Sequence, residues 1–341
     1  MKPFTTLALL TVLLFVPAAH AAKTDIVVLT NGDRITGEVK RLEAGLLQFD
    51  TDTMGTVNIE WRFVAQLISD QEHALETSGG LRVVGTLAPA EAPEKIVVST
   101  ADGDLPFDRE QLVSGWPVEQ GFLSRLNFDV AFGFDYAKST DITNLNASVD
   151  FSTNTDARIT EATLRTNITR QPGTEEDQNR NVLQASHQFL LPGRRFRSFV
   201  GSYETNDALG INSRVSIAGV FGKYLVRNNN ASFRLAGGLN LTRESPTTGE
   251  VTENAELVGA LRWRYFRFAT PERSLDTQFT VFPSITESGR VRGDLRTTFK
   301  LELIEDLFWS LELYGNYDNE PLSEGADKLD YGITTSVGWS Y

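Results

Sequence analysis

The residue types that carry out acid–base or nucleophilic chemistry are few in this chain. It has no cysteine, which excludes thiol nucleophiles and cysteine-ligated metals. Its three histidines are His20, His73 and His187. His187 lies in an alternating segment, on the face of Leu183 and Phe189, where a Ser/His pair would suit a lipid hydrolase. No Gly-x-Ser-x-Gly, His-Glu-x-x-His or phosphate-loop motif accompanies it, so the sequence predicts a non-enzymatic protein without catalytic residues or cofactors.

A second candidate site consists of charged residues that alternate with apolar ones in the last third of the chain. These residues are Arg262, Arg264, Arg296, Lys300, Glu302 and Glu312. On β-strands they share one face, opposite the large apolar side chains. They could form ion pairs that fill an interior, or a charged constriction that selects ions or small anionic solutes. The two signs are mixed on the same strands, which favours the ion-paired interior.

Acidic residues also cluster in the segments between these strands, for example Glu175-Glu176-Asp177 and Glu244, Glu250 and Glu253. They could gather divalent cations, but none has the spacing of an EF-hand loop. Solvated polar loops are the favoured interpretation. The sequence therefore predicts no metal site.

The elements that must position these residues are best seen at the end of the chain. From Tyr331 to Tyr341 the aromatic and apolar residues alternate with small polar ones. Such a strand is apolar on one side only, as in a soluble sheet or in a transmembrane β-barrel. In a barrel, Trp339 and Tyr341 would form a terminal aromatic signal read by the barrel-assembly machinery.

About a dozen alternating segments of this kind follow one another from about Gly121 onward, beginning with Leu126–Tyr136. The connections between them alternate between tight turns, such as 227–230, and longer acidic segments, such as 244–254. Outer-membrane barrels have short periplasmic turns, longer external loops and an even strand number. The pattern predicts an all-β fold: a transmembrane antiparallel β-barrel of about 12 strands with both termini in the periplasm.

The region before the barrel contains an internal duplication. The segment Asn31–Val39 recurs as Gly79–Leu87, and the same shift of about 48 residues pairs Gly55 with Gly103. The segment Leu29–Val39 resembles the opening hairpin of Sm-like small β-barrels. We therefore expect a small duplicated β domain of Sm-like hairpin units over residues 22–118, ahead of a barrel over 119–341.

Composition and the amino terminus bear on location. Met1-Lys2, an uncharged apolar run and Ala19-His20-Ala21 fit a signal peptide of residues 1–21. The net charge of −13 and the pI near 4.8 argue against nucleic acid as a partner. The mean hydropathy of −0.21 suits a soluble protein and a barrel alike.

Taken together, these features resemble a family of salt-induced outer-membrane proteins of Gram-negative bacteria. The residues that carry the resemblance are the Leu29–Gly37 segment, the strand 126–136, Arg262–Tyr265 and Val337–Tyr341. The resemblance implies a barrel in the outer membrane, with a link to osmotic or salt stress, and brings no catalytic residue.

Three functions remain open at this stage. The first is a non-enzymatic outer-membrane barrel, structural or weakly pore-forming, with outer-membrane lipids and the barrel-assembly machinery as partners. The second is an outer-membrane lipid hydrolase that depends on His187. The third is a soluble secreted β protein that binds carbohydrate or a protein partner. The alternation of the connections favours the first.

Overall fold

A computed structural model gives the fold and describes residues 23–118, 126–137, 142–155, 157–170, 178–207, 210–304, 307–320 and 328–339. The predicted signal peptide, residues 1–21, and the terminal Tyr341 lie outside the described residues. The described chain is almost entirely β-structure, so the all-β prediction is confirmed. No helix in this part of the chain is long and apolar enough to cross a membrane.

The first nine strands form one sheet that partly closes on itself. They are β1 Asp25–Leu29, β2 Arg34–Glu43, β3 Leu46–Thr51, β4 Gly55–Glu60, β5 Val64–Thr77, β6 Arg82–Ala88, β7 Lys95–Thr100, β8 Gly103–Asp108 and β9 Leu112–Pro117. The order is β4-β3-β2-β1-β5-β6-β7-β8, and β9 pairs with both β2 and β5. Strands β1, β2, β9 and β5 therefore close a four-stranded barrel, and the core of the nine-stranded unit includes Leu47, Phe49 and Val98.

The duplication is visible in this unit. Short 3₁₀ turns at Trp61–Phe63 and Arg109–Gln111 occupy equivalent places in the two copies. The copies are tied together where Trp61 Nε1 donates a hydrogen bond to the carbonyl of Arg109 at 2.7 Å. Gly32 and Gly80 have φ of 93° and 83° in the equivalent hairpin turns, a backbone conformation that favours glycine.

The remaining strands form a twelve-stranded antiparallel sheet in sequence order, as predicted. They are β10 Leu126–Ala137, β11 Ile142–Asn154, β12 Arg158–Arg170, β13 Gln178–Leu191, β14 Arg195–Asn206, β15 Ile211–Arg227, β16 Ala231–Pro246, β17 Thr252–Arg267, β18 Arg273–Pro283, β19 Val291–Ile304, β20 Leu307–Asp318 and β21 Leu329–Trp339. Between them, tight turns at 192–194, 228–230 and 268–272 lie at one end, which we call the short-turn end. The other end is the long-connection end.

Two connections at the long-connection end are shorter than predicted. The sequence pattern predicts long connections over 204–213 and 244–254, but Glu204 pairs with Arg214 and Glu244 pairs with Thr252 in the ladders. Backbone pairing needs no apolar side chain, so the strands continue past the point where alternation of large apolar residues ends. Only 207–210 and 247–251 remain as connections there.

The register places most of the large apolar side chains of the twelve strands on one face. Cross-strand partners share a face, and the ladder runs from Phe128–Phe151 through Phe199–Gly219 and Leu239–Leu257 to Leu313–Ile333. Mainly polar and small residues occupy the other face, which also carries Leu190, Phe196 and Tyr224. We call the two surfaces the apolar face and the concave face.

The sheet curves around its polar side. Arg292 on β19 lies 2.7 Å from Glu256 on β17, and Arg290, just before β19, lies 3.7 Å from Glu244 on β16. These ion pairs join strands that are not adjacent in the sheet, so they cross the concave space. Among the described residues, β10 and β21 each pair with one neighbour.

Candidate functional site

The predicted charge cluster lies on the concave face, but most of its members pair with residues outside the cluster. Arg262 donates two hydrogen bonds, of 3.0 and 2.6 Å, to the carboxylate of Asp276 on β18. Arg264 Nε donates to Ser232 Oγ at 3.2 Å. Asp276 could have been found from the sequence, because alternation along β18 puts it on the same face as Gln278.

Arg296 and Glu312 are the two predicted residues that the described structure brings together, at 3.7 Å. Lys300 Nζ lies 4.0 Å from the centre of the Phe308 ring, and Glu302 accepts a hydrogen bond of 2.6 Å from the backbone N–H of Glu272. Lys300 and Glu302 line a cavity of about 240 Å³ at the short-turn end. Both signs are present, as expected for an interior neutralised by its own side chains.

A larger network at the long-connection end was missed by the sequence analysis. At its centre is Glu256, which is fully buried. Arg292 donates two hydrogen bonds to Glu256, of 2.8 and 2.7 Å, and Asn240 Nδ2 donates a third of 2.8 Å. A buried carboxylate is stable only with such partners. Local sequence patterns do not predict this pairing, because Glu256 and Arg292 lie on β17 and β19, which are not adjacent.

Further ion pairs extend this network across the concave face. Arg214 on β15 lies 2.6 Å from Glu244 on β16, and the buried Arg290 lies 2.9 Å from Asp318 on β20 and 3.7 Å from Glu244. Burial lowers the pKa of Arg290, but its hydrogen bonds to Asp318 and Glu287 raise it above the ordinary arginine value overall. The network therefore joins β15 to β20 through charged side chains that fill the space between them.

The concave face is filled differently near the short-turn end. Leu190, Phe196 and Tyr224 form a buried apolar cluster there. The guanidinium groups of Arg227 and Arg234 lie 4.7 and 5.9 Å from the centre of the Tyr224 ring. Aromatic and cation–π packing thus occupies this end of the interior, at least along β13 to β16.

The small closed barrel is held against the short-turn end by a buried ion pair. Glu76 on β5 lies 2.7 Å from Arg227 on β15 and 3.2 Å from Arg82 on β6. Arg227 also donates to Ser114 Oγ at 3.2 Å. One carboxylate that is 1% exposed is therefore shared by two arginines, one from each part of the chain.

Backbone contacts complete this interface. Asn229 Nδ2 donates to the carbonyls of Leu112 and Glu110 at 3.1 and 3.4 Å. A side chain at Gly80 would collide with the backbone of Arg194, with the added carbon 2.6 Å from the Arg194 nitrogen. Glu43 lies 3.8 Å from Arg264, a concave-face residue, so the small barrel covers part of the opening rather than the outer wall.

The remaining predicted residues lie apart from these networks. Trp339 is exposed on the apolar face opposite Leu307. His187 is on the same face, with Nδ1 2.8 Å from Thr160 Oγ1, while the neighbouring Ser186 points to the other side of the strand. No group of three or more histidine, aspartate or glutamate side chains in the described chain could hold a metal ion.

The fold and this interior define a two-part all-β protein, in which a small closed barrel is docked at one end of a curved twelve-stranded antiparallel sheet. A family model described as a protein of unknown function, DUF481, matches residues 130–341. The match covers more than half of the 341 residues, so the chain belongs to this family. No curated protein and no solved structure matches the chain.

Proposed function

We propose that this protein is a non-enzymatic outer-membrane β-barrel, structural or at most weakly pore-forming, with its N-terminal domain in the periplasm. The observation that carries the proposal is the continuous apolar face of the twelve strands. Charged residues on that face, such as Arg197, Arg243 and Glu253, lie near the strand ends. A charge near the bilayer midplane costs about 2–4 kcal/mol, so this distribution suits a membrane-spanning sheet.

The interior supports the structural role. Ion pairs around Glu256 fill the concave face at the long-connection end. The cluster of Leu190, Phe196 and Tyr224 fills it near the short-turn end. The docked N-terminal domain covers part of the opening at the short-turn end. Outer-membrane lipids and the barrel-assembly machinery are the partners that this proposal implies, with Trp339 and Tyr341 as the assembly signal. A link to osmotic or salt stress belongs to the proposal through the family resemblance, and measuring protein abundance at raised NaCl tests it.

Cell fractionation combined with protease shaving tests the location. We expect the protein in the outer-membrane fraction, with gel mobility that changes on heating. In intact cells, external protease should cleave within 247–251 and leave 228–230 intact. Recovery of the protein as a soluble periplasmic species would reject the proposal.

A further inference from the structure

The apolar face carries a band of basic side chains at the short-turn end. We call this band the basic rim, and its members are Arg158, Arg195, Arg197, Lys223, Arg267 and Arg273. The register places them on the apolar face, because Arg158 and Arg197 are cross-strand partners of Phe189, and Arg195 is the partner of Lys223. All but Arg267 are exposed.

The basic rim has no acidic counterpart on the strands of its own face, although Arg267 and Arg273 line one cavity together with Glu272 and Glu302. None of its six side chains forms an ion pair with a described residue, and the described strand positions at this end of the apolar face carry no aspartate or glutamate. The whole chain, by contrast, has 45 acidic against 32 basic residues. Basic residues scattered over so acidic a protein would meet carboxylates, as Arg214, Arg262 and Arg292 do on the concave face. Six basic side chains without ion pairs along one rim therefore indicate an anionic partner that is not part of this chain.

The rim combines charge with aromatic surface. Arg197 and Arg158 lie 4.5 and 5.5 Å from the centre of the Phe189 ring, and Arg273 lies 6.0 Å from that of Tyr265. Such stacking fixes the guanidinium planes while their N–H groups remain free to donate. Adjacent strands are about 4.8 Å apart, so from β12 to β18 the rim follows an arc of roughly 29 Å.

We propose that the basic rim binds the phosphate groups of anionic phospholipids in the membrane leaflet on the short-turn side. This proposal rests on the proposed membrane location. Long basic side chains at the border of an apolar belt extend toward the headgroups while their stems stay on the apolar surface. A guanidinium group can donate two parallel hydrogen bonds to two oxygens of one phosphate, which makes the phosphate a better partner than water. The apolar face beside the rim would contact the acyl chains of the same lipids.

Native mass spectrometry of the detergent-purified full chain, titrated with mixed phosphatidylglycerol and phosphatidylcholine, tests the proposal. We expect preferential retention of phosphatidylglycerol by the unaltered protein. The double variant Arg158→Gln/Arg197→Gln should lower that preference by up to about fivefold for each basic residue removed. A matched control, Arg170→Gln/Arg243→Gln, makes the same charge change on the same face at the long-connection end, and should keep the preference.

Equal retention of the two lipids by the unaltered protein, or the same loss in the control as in the rim variant, would overturn the proposal. Heat-modifiable gel mobility of each variant shows that it is folded. If the chain stays soluble without detergent, the membrane location itself fails. If it requires detergent and is heat-modifiable but shows no lipid preference, only the role of the basic rim fails.

Discussion

At the scale of single residues, burial decides which ion pairs matter. Glu256 is fully buried and Arg292 is 17% exposed, whereas Arg296 and Glu312 are 65% and 47% exposed and 3.7 Å apart. Removing one partner of a buried pair leaves the other charge without compensation, which costs about 3–5 kcal/mol. An exposed pair is screened by water and contributes about 0–1 kcal/mol.

We therefore expect Glu256→Ala to destabilise the sheet by about 3 kcal/mol and Glu312→Ala by less than about 1 kcal/mol. The measurement is the urea midpoint of the detergent-solubilised chain. Loss of the heat-modifiable gel band reports the fraction of unfolded protein at each urea concentration. Equal losses in the two variants would contradict the picture of a buried network.

His73 makes the stability of the N-terminal domain depend on pH. Its ring is fully buried, Nδ1–H donates to the carbonyl of Gln71 at 2.9 Å, and Nε2 has no described partner. Burial lowers the pKa of His73 below 6.5, although the charges of Asp25 and Glu38 act in the opposite direction. The unfolded chain then binds the proton more readily, so stability falls as the pH drops below 6.5.

The urea midpoint of the N-terminal domain in the full chain should accordingly decrease between about pH 7.5 and about pH 5.5. His73→Gln, which keeps an N–H donor without a titrating group, should flatten this dependence. Tryptophan fluorescence reports the transition through Trp61 and Trp116. A variant that kept the full slope would assign the pH effect to other groups.

At the scale of strands, the two faces of the sheet should tolerate an added charge to different extents. Leu239 lies in the middle of β16 on the apolar face, and Thr298 lies on the concave face of β19. We expect Leu239→Arg to lower the stability of the membrane-inserted sheet by about 2–4 kcal/mol, and Thr298→Arg to have a much smaller effect. Folding yield into lipid vesicles checks this, and similar yields for the two variants would count against a lipid-facing surface.

The sequence predicts the strands well, because alternation is a local property that a membrane or core enforces on each strand separately. It predicts the pairing of the charges poorly. Arg292 meets Glu256 only because the sheet curves and brings β17 and β19 side chains over the strand between them. Register and curvature arise from the whole sheet and cannot be predicted strand by strand. The pair of Arg296 and Glu312 lies on adjacent strands and could be predicted from the sequence, whereas the pair of Glu256 and Arg292 could not.

At the scale of the whole molecule, Arg227 connects the two parts of the chain. Its guanidinium group bridges Glu76 and Ser114 from the concave side of the sheet. We expect Arg227→Ala to release the N-terminal domain from the short-turn end, since Glu76 would then keep only Arg82.

The absence of cysteine makes this release measurable. In a Glu43→Cys/Arg264→Cys protein, a short bifunctional maleimide should join the two parts, because these side chains meet at 3.8 Å. Adding Arg227→Ala should slow the cross-linking strongly. Adding Lys223→Ala, which removes a basic residue from the other face of β15, should not. Unchanged cross-linking with Arg227→Ala would mean that the Asn229 contacts suffice for docking.

The docked interface also breaks the symmetry of the duplicated domain. A half-turn that exchanged its two copies would bring Gly32 where Gly80 now lies, and the two glycines have similar backbone conformations, with φ of 93° and 83°. It would also bring Val28 to the place of Glu76, because the copies are offset by about 48 residues. Arg227 would then face a valine. Glu76, which is present in one copy and replaced by Val28 in the other, thus determines which of the two copies docks against Arg227.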